Sequence, residues 1–429
     1  MTMSDTEKTD SAIFDRVESQ VRSYSRSFPK TFNKAVGATI YDRDGTEYTD
    51  FLAGCSTLNY GHNDPDLKAA LIDYISADGI AHGLDMFTDA KEKFLEAFER
   101  IILKPRNMDY KLMFMGPTGT NAVEAALKLA RKVTGRNTVI SFTNGFHGVT
   151  LGSLAATGAS SHRKAFNAGL SGVQRAAYDA YFGDIDTADM LDKQLSDASS
   201  GFDAPAAIIV ETVQGEGGLN AASGAWLKKI EEIAKKHGAL FIIDDIQAGI
   251  GRTGTFFSFE EMGLDPDIVT MAKSLSGMGL PFASVMLKPE HDIWGPAEHN
   301  GTFRGNNHAF VTGRAALEKF WADKSFETEV KKKGEYLGQR LKAIADAHGF
   351  TLRGRGMMQG INAVTGERAE AICKACFEQN LIIETSGPDS EIVKVLCPLT
   401  IEMDQFTKGL DILENAFERV MGSRRAAAE

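Results

Sequence analysis

Between residues 110 and 320 the chain alternates short apolar runs with longer stretches in which apolar residues recur every three or four positions. The runs at 111–115, 138–142, 206–210, 239–243, 268–271 and 283–287 are apolar at nearly every position. That is the pattern of strands covered on both faces rather than of strands with one wet face. Between them, 121–134 carries Val123, Ala126, Leu127 and Ala130 at i, i+3, i+4 and i+7, and 224–236 also reads as a helix. Buried strands separated by amphipathic helices predict an α/β fold, with a mostly parallel sheet flanked by helices on both faces. Ligands of such sheets sit beyond the carboxyl ends of the strands.

The flanking regions read differently. Residues 1–12 are polar and predicted to be loose. Helical spacing of Val17 and Val21 predicts a helix over 14–24. Thr39-Ile40-Tyr41 and Glu47-Tyr48-Thr49 around Asp42-Arg43-Asp44-Gly45 predict a hairpin, and 65–76 and 90–102 read as helices. After residue 322, helices at 326–348, 366–379 and 403–421 alternate with short strands at 351–353, 382–384 and 392–396. The expected division is an N-terminal segment of a small domain (1–62), a large ligand-binding α/β domain (63–322) and a C-terminal part of the small α+β domain (323–429).

Composition narrows the class. The chain has 429 residues, 43% hydrophobic and 24% charged, with a net charge of −11. These are values of a globular enzyme-sized protomer, and the acidic balance argues against nucleic acid and anionic membranes as partners. Four scattered cysteines suggest no disulfide framework and a reducing cytoplasm. Cys373 and Cys376 form a C-x-x-C, but on a predicted helix with no second pair and no nearby histidine they read as ordinary helix residues, and no metal is expected. The first residues lack the apolar core of a signal peptide, and no apolar run approaches the ~20 residues of a membrane span.

The candidate chemistry lies at strand ends. Asp244 closes one apolar run, and Lys273, 29 residues later, follows another. A lysine able to form a Schiff base and an acid able to keep a pyridine nitrogen protonated are what a pyridoxal 5′-phosphate (PLP) site needs. Gly116-Pro117-Thr118-Gly119-Thr120-Asn121 joins a strand to a helix start, where free amides make an anion site suited to a phosphate. It lacks the P-loop pattern, so a nucleoside triphosphate is disfavoured. Phe146, in Gly145-Phe146-His147-Gly148, can stack on a flat ring. Glu211 and Glu216 follow a third strand; as an isolated pair they would also suit a glycosidase, but the parallel-sheet setting and the strand-end lysine favour PLP.

At these residues the chain resembles the class III (omega-amino-acid type) aminotransferases of the fold-type I PLP group. The likeness covers about 28–421. It rests on Thr-Gly-Thr-Asn-Ala-Val-Glu (118–124), Phe-His-Gly (146–148), Glu-Thr-Val-Gln-Gly-Glu-Gly-Gly (211–218), Asp-Asp-Ile-Gln-Ala-Gly-Ile-Gly-Arg-Thr-Gly (244–254), Ala-Lys-Ser-Leu-Ser-Gly (272–277) and Gly-Thr-Phe-Arg-Gly-Asn-Asn (301–307). The resemblance implies roles. Lys273 is the Schiff-base lysine, Asp244 the partner of the pyridine nitrogen, and Gln247 lies near the phenolic oxygen. Ile246 and Phe146 sandwich the ring, and Gly119 and Thr120 form the phosphate cup. Thr302 reaches the phosphate of a neighbouring subunit, which implies a homodimer or a dimer of dimers. Glu216 matches an acid that in relatives pairs with a C-terminal arginine and gates the α-carboxylate of the donor. Segments 22–29, 51–62, 79–86 and 298–310 narrow the likeness to members that pass the amino group of L-glutamate to L-aspartate 4-semialdehyde in ectoine biosynthesis.

Three positions depart from the family pattern. The C-terminal arginine is Lys394, a point charge without the bidentate fork. The arginine often found after the His-Gly pair is Val149, and a small residue of the 301–307 segment is Arg304. We expect Arg304 or Lys394 to replace the missing positive charge, so that both count as substrate residues beside Glu216 and Glu211. Rival readings are a 4-aminobutyrate or ornithine type of transaminase, a PLP aminomutase and a non-catalytic PLP-binding regulator.

Overall fold

The computed structural model describes residues 13–164 and 169–428, with side chains to 422; the polar start at 1–12 lies outside the described residues. Seven strands form the central sheet: β1 (Lys111–Phe114), β2 (Val139–Phe142), β3 (Val173–Ala176), β4 (Ala207–Val210), β5 (Leu240–Asp244), β6 (Ile268–Met271) and β7 (Ser284–Leu287). Their order across the sheet is β1-β7-β6-β5-β4-β2-β3. All neighbours run parallel except at β7, which is antiparallel to β6 and to β1.

Alternation of side chains along each strand divides the core in two. Ile209, Ile242, Ile268 and Val285 face the helix Gly119–Thr134, packing on Val123, Ala126, Leu127 and Ala130. Ile208, Phe241, Ile243, Val269 and Met286 face the other side, where Trp226, Leu227 and Ile230 of the helix Gly224–Lys236 lie. The continuous apolar runs follow from this double cover. Helix Gly119–Thr134 is bounded by local chemistry. Thr118 caps it by accepting the Asn121 amide, and Gly135, at φ +68°, closes it in the left-handed conformation.

Smaller sheets flank this body. Phe32–Val36, Thr39–Asp42 and Glu47–Asp50 form an antiparallel meander. Its last strand pairs in parallel with Leu381–Ile382, more than three hundred residues away. Thr351–Arg355, Met358–Asn362, Ile392–Val395 and Glu384–Ser386 form an antiparallel sheet in that order.

The helix predicted over 14–24 is not continuous. Residues 13–17 and Tyr24–Ser27 are helical and 18–23 are not. Val17 and Val21 are 69% and 88% exposed, so within one chain no core stabilises that helical face, and short isolated helices are marginal in water. The strands Phe32–Val36, Val173–Ala176 and Met358–Asn362 were not anticipated. Two of them are interrupted by charged or polar residues (Asn33 and Lys34; Gln174 and Arg175), and the third contains Gly360.

Candidate active site

One cavity of about 460 Å³ opens at the carboxyl ends of the central strands. Gly119 and Thr120, beyond β1, line it, as do Phe146 and His147 beyond β2, Glu211 and Glu216 beyond β4, Asp244, Ile246 and Gln247 at the end of β5, and Lys273 beyond β6. Asp244 and Lys273 therefore share a single pocket. The reason is the register: Asp244 pairs with Thr270, three residues before the lysine.

Asp244 is buried and held on both oxygens. Its Oδ2 lies 2.7 Å from His147 Nδ1, and its Oδ1 accepts from Thr270 Oγ1 at 3.0 Å. Burial alone would lower the His147 pKa, but the hydrogen bond to Asp244 and its charge outweigh burial and raise it. With its proton on Nδ1, His147 donates to the Asp244 carboxylate. Sequence reasoning left His147 without a role; its place two strands from Asp244 was not visible along the chain. Glu211 is also buried and accepts the Phe146 amide at 2.9 Å. Burial pushes its pKa up, against the pull of His147.

Lys273 has φ +52°, in the left-handed region that lysine seldom enters. Its amine makes no hydrogen bond among the described residues, although its charge reaches Glu216. The neighbour Ser274 anchors the turn: its Oγ donates to Ser56 O at 2.7 Å and accepts the Asn59 amide at 2.9 Å.

Glu216 faces the cavity from a charged cluster. Its Oε1 accepts from Gln247 Nε2 at 2.9 Å and from Lys394 Nζ at 3.0 Å. Lys394 is fully buried and also lies 3.0 Å from Glu384 Oε1. Burial would raise the Glu216 pKa, but the Lys394 charge and the two hydrogen bonds hold it at about 2. Burial raises Glu384, and its own burial is outweighed at Lys394 by the two carboxylates, which raise it. Lys394 thus pairs with Glu216 but does not line the cavity. Glu384, and Tyr24 whose hydroxyl donates to it at 3.2 Å, were not singled out in the sequence.

Lys394→Met leaves the buried Glu384 and the partly exposed Glu216 without their cation, and the expected loss of stability at neutral pH is ~3 kcal/mol. A carboxyl whose folded pKa lies above its unfolded value destabilises at high pH and stops doing so as pH falls through the folded pKa. The melting-temperature gap between wild type and variant is therefore expected to narrow from pH 8 to pH 5.5 in scanning calorimetry. An equal gap at both pH values would remove charge from the explanation.

Thr302 and Arg304 are not in this chain's cavity. They form an exposed turn, Thr302–Arg304, where Arg304 reaches Asn300 Oδ1 at 3.3 Å and Asp85 Oδ2 at 3.9 Å. Val149 lies on the cavity wall, and among the described residues the only lysine or arginine in that wall is Lys273.

The donor set suits PLP. The first amides of helix Gly119–Thr134 have no intrahelical partner and suit a phosphate, with the Thr120 hydroxyl beside them. A Cβ on Gly119 would lie 3.1 Å from Ile246 Cδ1, so glycine is what leaves room there. Gly148, at φ +123°, meets the Thr120 and Ser153 hydroxyls so closely that any side chain would displace them. Gln247 Oε1 is buried at the wall with no hydrogen-bond partner, an atom that a bound ligand can satisfy.

The family model for aminotransferase class III matches residues 21–417, and the chain belongs to that family of PLP-dependent transaminases. Among its relatives are the diaminobutyrate–2-oxoglutarate transaminases of Vibrio parahaemolyticus, 53% identical over 95% of this chain and 97% of the relative, and of Halomonas elongata, 55% identical over 94% and 98%. Solved structures agree in fold. An ornithine aminotransferase from Toxoplasma gondii superposes with a TM-score of 0.83 at 25% identity, covering 98% of this chain and 97% of that one. A Bacillus anthracis aminotransferase reaches 0.85 at 24%, covering 97% and 100%.

Proposed function

We propose that this transaminase moves the amino group of L-glutamate to L-aspartate 4-semialdehyde, giving L-2,4-diaminobutyrate and 2-oxoglutarate, as a step of ectoine biosynthesis. The observation that carries this reading is identity of 53–55% over nearly the whole length to enzymes named for that reaction. An ornithine or 4-aminobutyrate type of activity is the alternative, and the ornithine aminotransferase neighbour stands at only 25%.

When bound, PLP supplies an aldehyde that condenses with amines and a cationic ring that takes up the electrons of a broken C–H bond. The residues divide the remaining work. Gly119 and Thr120 hold the phosphate, Phe146 and Ile246 flank the ring, and Gln247 stands near its oxygen. Asp244, fixed by His147 and Thr270, would be the acid that partners the ring nitrogen. Lys273 would bind the aldehyde carbon of the cofactor, and its Nζ would serve as the base that moves the proton from the amine-bearing carbon of the substrate. Glu211 fixes the backbone amide of Phe146.

A homodimer, or a dimer of dimers, completes the site in this reading, with Thr302 and Arg304 of one copy serving the cavity of another. Its support is the apolar surface around that turn: Ile80, Met86, Phe87 and Phe303 are all more than half exposed, and the Gly83 amide bonds Gly305 O at 2.9 Å, tying the two segments together. We further propose that 1–62 and 323–429 make one small domain beside 63–322, supported by the pairing of Glu47–Asp50 with Leu381–Ile382. Four free cysteines and the lack, among the described residues, of a helix long and apolar enough to cross a membrane support a cytoplasmic enzyme.

The test is a pair of half-reactions. Glutamate alone should convert the enzyme to its pyridoxamine form, and aspartate semialdehyde should reverse this faster than succinic or glutamate semialdehyde. Equal or better reversal by either of the latter would favour the alternative. Arg304→Ala should raise the KM for glutamate; an unchanged value would remove Arg304 as an anchor.

A further inference from the structure

Charge counting around Glu216 leads to a specificity determinant. Among the described residues Lys394 is the cation at ion-pair distance from both Glu216 and Glu384, 3.0 Å from each, while the Lys273 charge reaches Glu216 without contact. Glu384 accepts from Lys394, from the Tyr24 hydroxyl at 3.2 Å and from the Cys55 thiol at 3.7 Å, and these donors favour its carboxylate form against the burial that raises its pKa. Cys55 itself stays neutral, since burial pushes its pKa to about 11. With both acids ionised, this ion-paired trio of two carboxylates and one ammonium carries a charge of −1. The buried carboxylate and the ammonium, 9% and 0% exposed, have no access to a ligand, whereas the Glu216 side chain is 33% exposed on the cavity wall. Glu216 Oε1 is taken by Gln247 and Lys394, while Oε2 accepts no hydrogen bond among the described residues. Glu216 Oε2 is therefore the carboxylate oxygen of this cluster left for a ligand.

We infer that Glu216 Oε2 is the receptor for the α-ammonium group of the acceptor, so that the site selects short aldehydes whose far end is zwitterionic over those whose far end is only a carboxylate. Lys394 is then not a substrate anchor: its charge is already shared between two acids, and it fixes Glu216 in place. This inference rests on the reaction proposed above, because an acceptor aminated at its terminal carbon presents its α-amine and carboxylate to the far wall. A charge-assisted hydrogen bond of this kind discriminates by about 10- to 100-fold.

The test measures binding by calorimetry to the pyridoxamine form of the holoenzyme, in which the probes do not react. The probes are L-homoserine, which has the α-ammonium, and 4-hydroxybutyrate, which lacks it. Wild type should prefer homoserine by at least about 10-fold, and Glu216→Gln should bring the two affinities to within about 2-fold of each other. A wild type without preference, or a Glu216→Gln variant that keeps it, overturns the inference. If Glu216→Gln does not fold by circular dichroism, Glu384→Gln serves instead. It removes one charge of the cluster away from the cavity and should reduce the preference several-fold; an undiminished preference is again fatal. Failure of the proposed reaction is separable: wild type would then prefer homoserine yet form no diaminobutyrate from aspartate semialdehyde.

Discussion

Lys273→Ala lowers turnover by at least about 10⁴-fold and removes the visible absorbance of the lysine-bound cofactor. In the roles proposed for Lys273 two functions would be lost together: the amine that binds the aldehyde carbon and the base that moves the proton. The fold should survive the change. The Lys273 side chain makes no hydrogen bond among the described residues, and the turn is held by Ser274 through Ser56 and Asn59. Alanine must still adopt φ +52°, a strain of about 1–3 kcal/mol that lysine already bears, so melting temperature should change little. Spectra and single-turnover rates of the purified variant check both points. Retention of the visible band would remove Lys273 from its assigned place.

Asp244→Ala keeps the cofactor attached to Lys273 but lowers the rate by about 10²–10³-fold, the scale of losing one fixed charge from a reacting site. This variant also disturbs the fold. His147 and Thr270 lose their acceptor, and a buried imidazole without its carboxylate cannot stay charged. The pH dependence follows with a definite sign. The pKa of His147 is raised above 6.5 in the folded state, so the His147–Asp244 pair contributes stability that is fully present below about pH 6.5 and is lost as pH rises through the folded value. Asp244→Ala should abolish that dependence. Asp244→Asn, which keeps the Thr270 contact without the charge, separates the catalytic loss from the packing loss. Near-normal turnover in the Asn variant would mean that the ring nitrogen needs no anion.

The central sheet was legible because its five inner strands are covered on both faces, and two-sided burial writes itself as a nearly unbroken apolar run. Of the two edge strands, Lys111–Phe114 keeps three apolar residues in a row, whereas Val173–Ala176 escaped because it carries Gln174 and Arg175. The site was legible where chemistry sits just past a strand end, as with Asp244, Lys273, Gly119 and Glu216. What escaped were partners brought in from distant segments. His147 meets Asp244 across 97 residues and Tyr24 meets Glu384 across 360. Nothing in local periodicity reports such encounters, because they depend on the order of strands in the sheet and on how the two ends of the chain meet. Lys394 illustrates the same limit. Its replacement of an arginine was visible, but the sharing of its charge with Glu384 arises only from the adjacent pairing of Ile392–Val395 with Glu384–Ser386.

The parallel pairing of Glu47–Asp50 with Leu381–Ile382 has a consequence for biosynthesis. At translation speeds of ~5–20 residues per second, the ribosome needs roughly 15–65 seconds to deliver the second strand after the first has emerged. Throughout that interval the early hairpin presents an unsatisfied edge, a ready template for wrong partners. Newborn chains are thus most vulnerable to aggregation before their last fifty residues are made, and chaperone dependence should concentrate there.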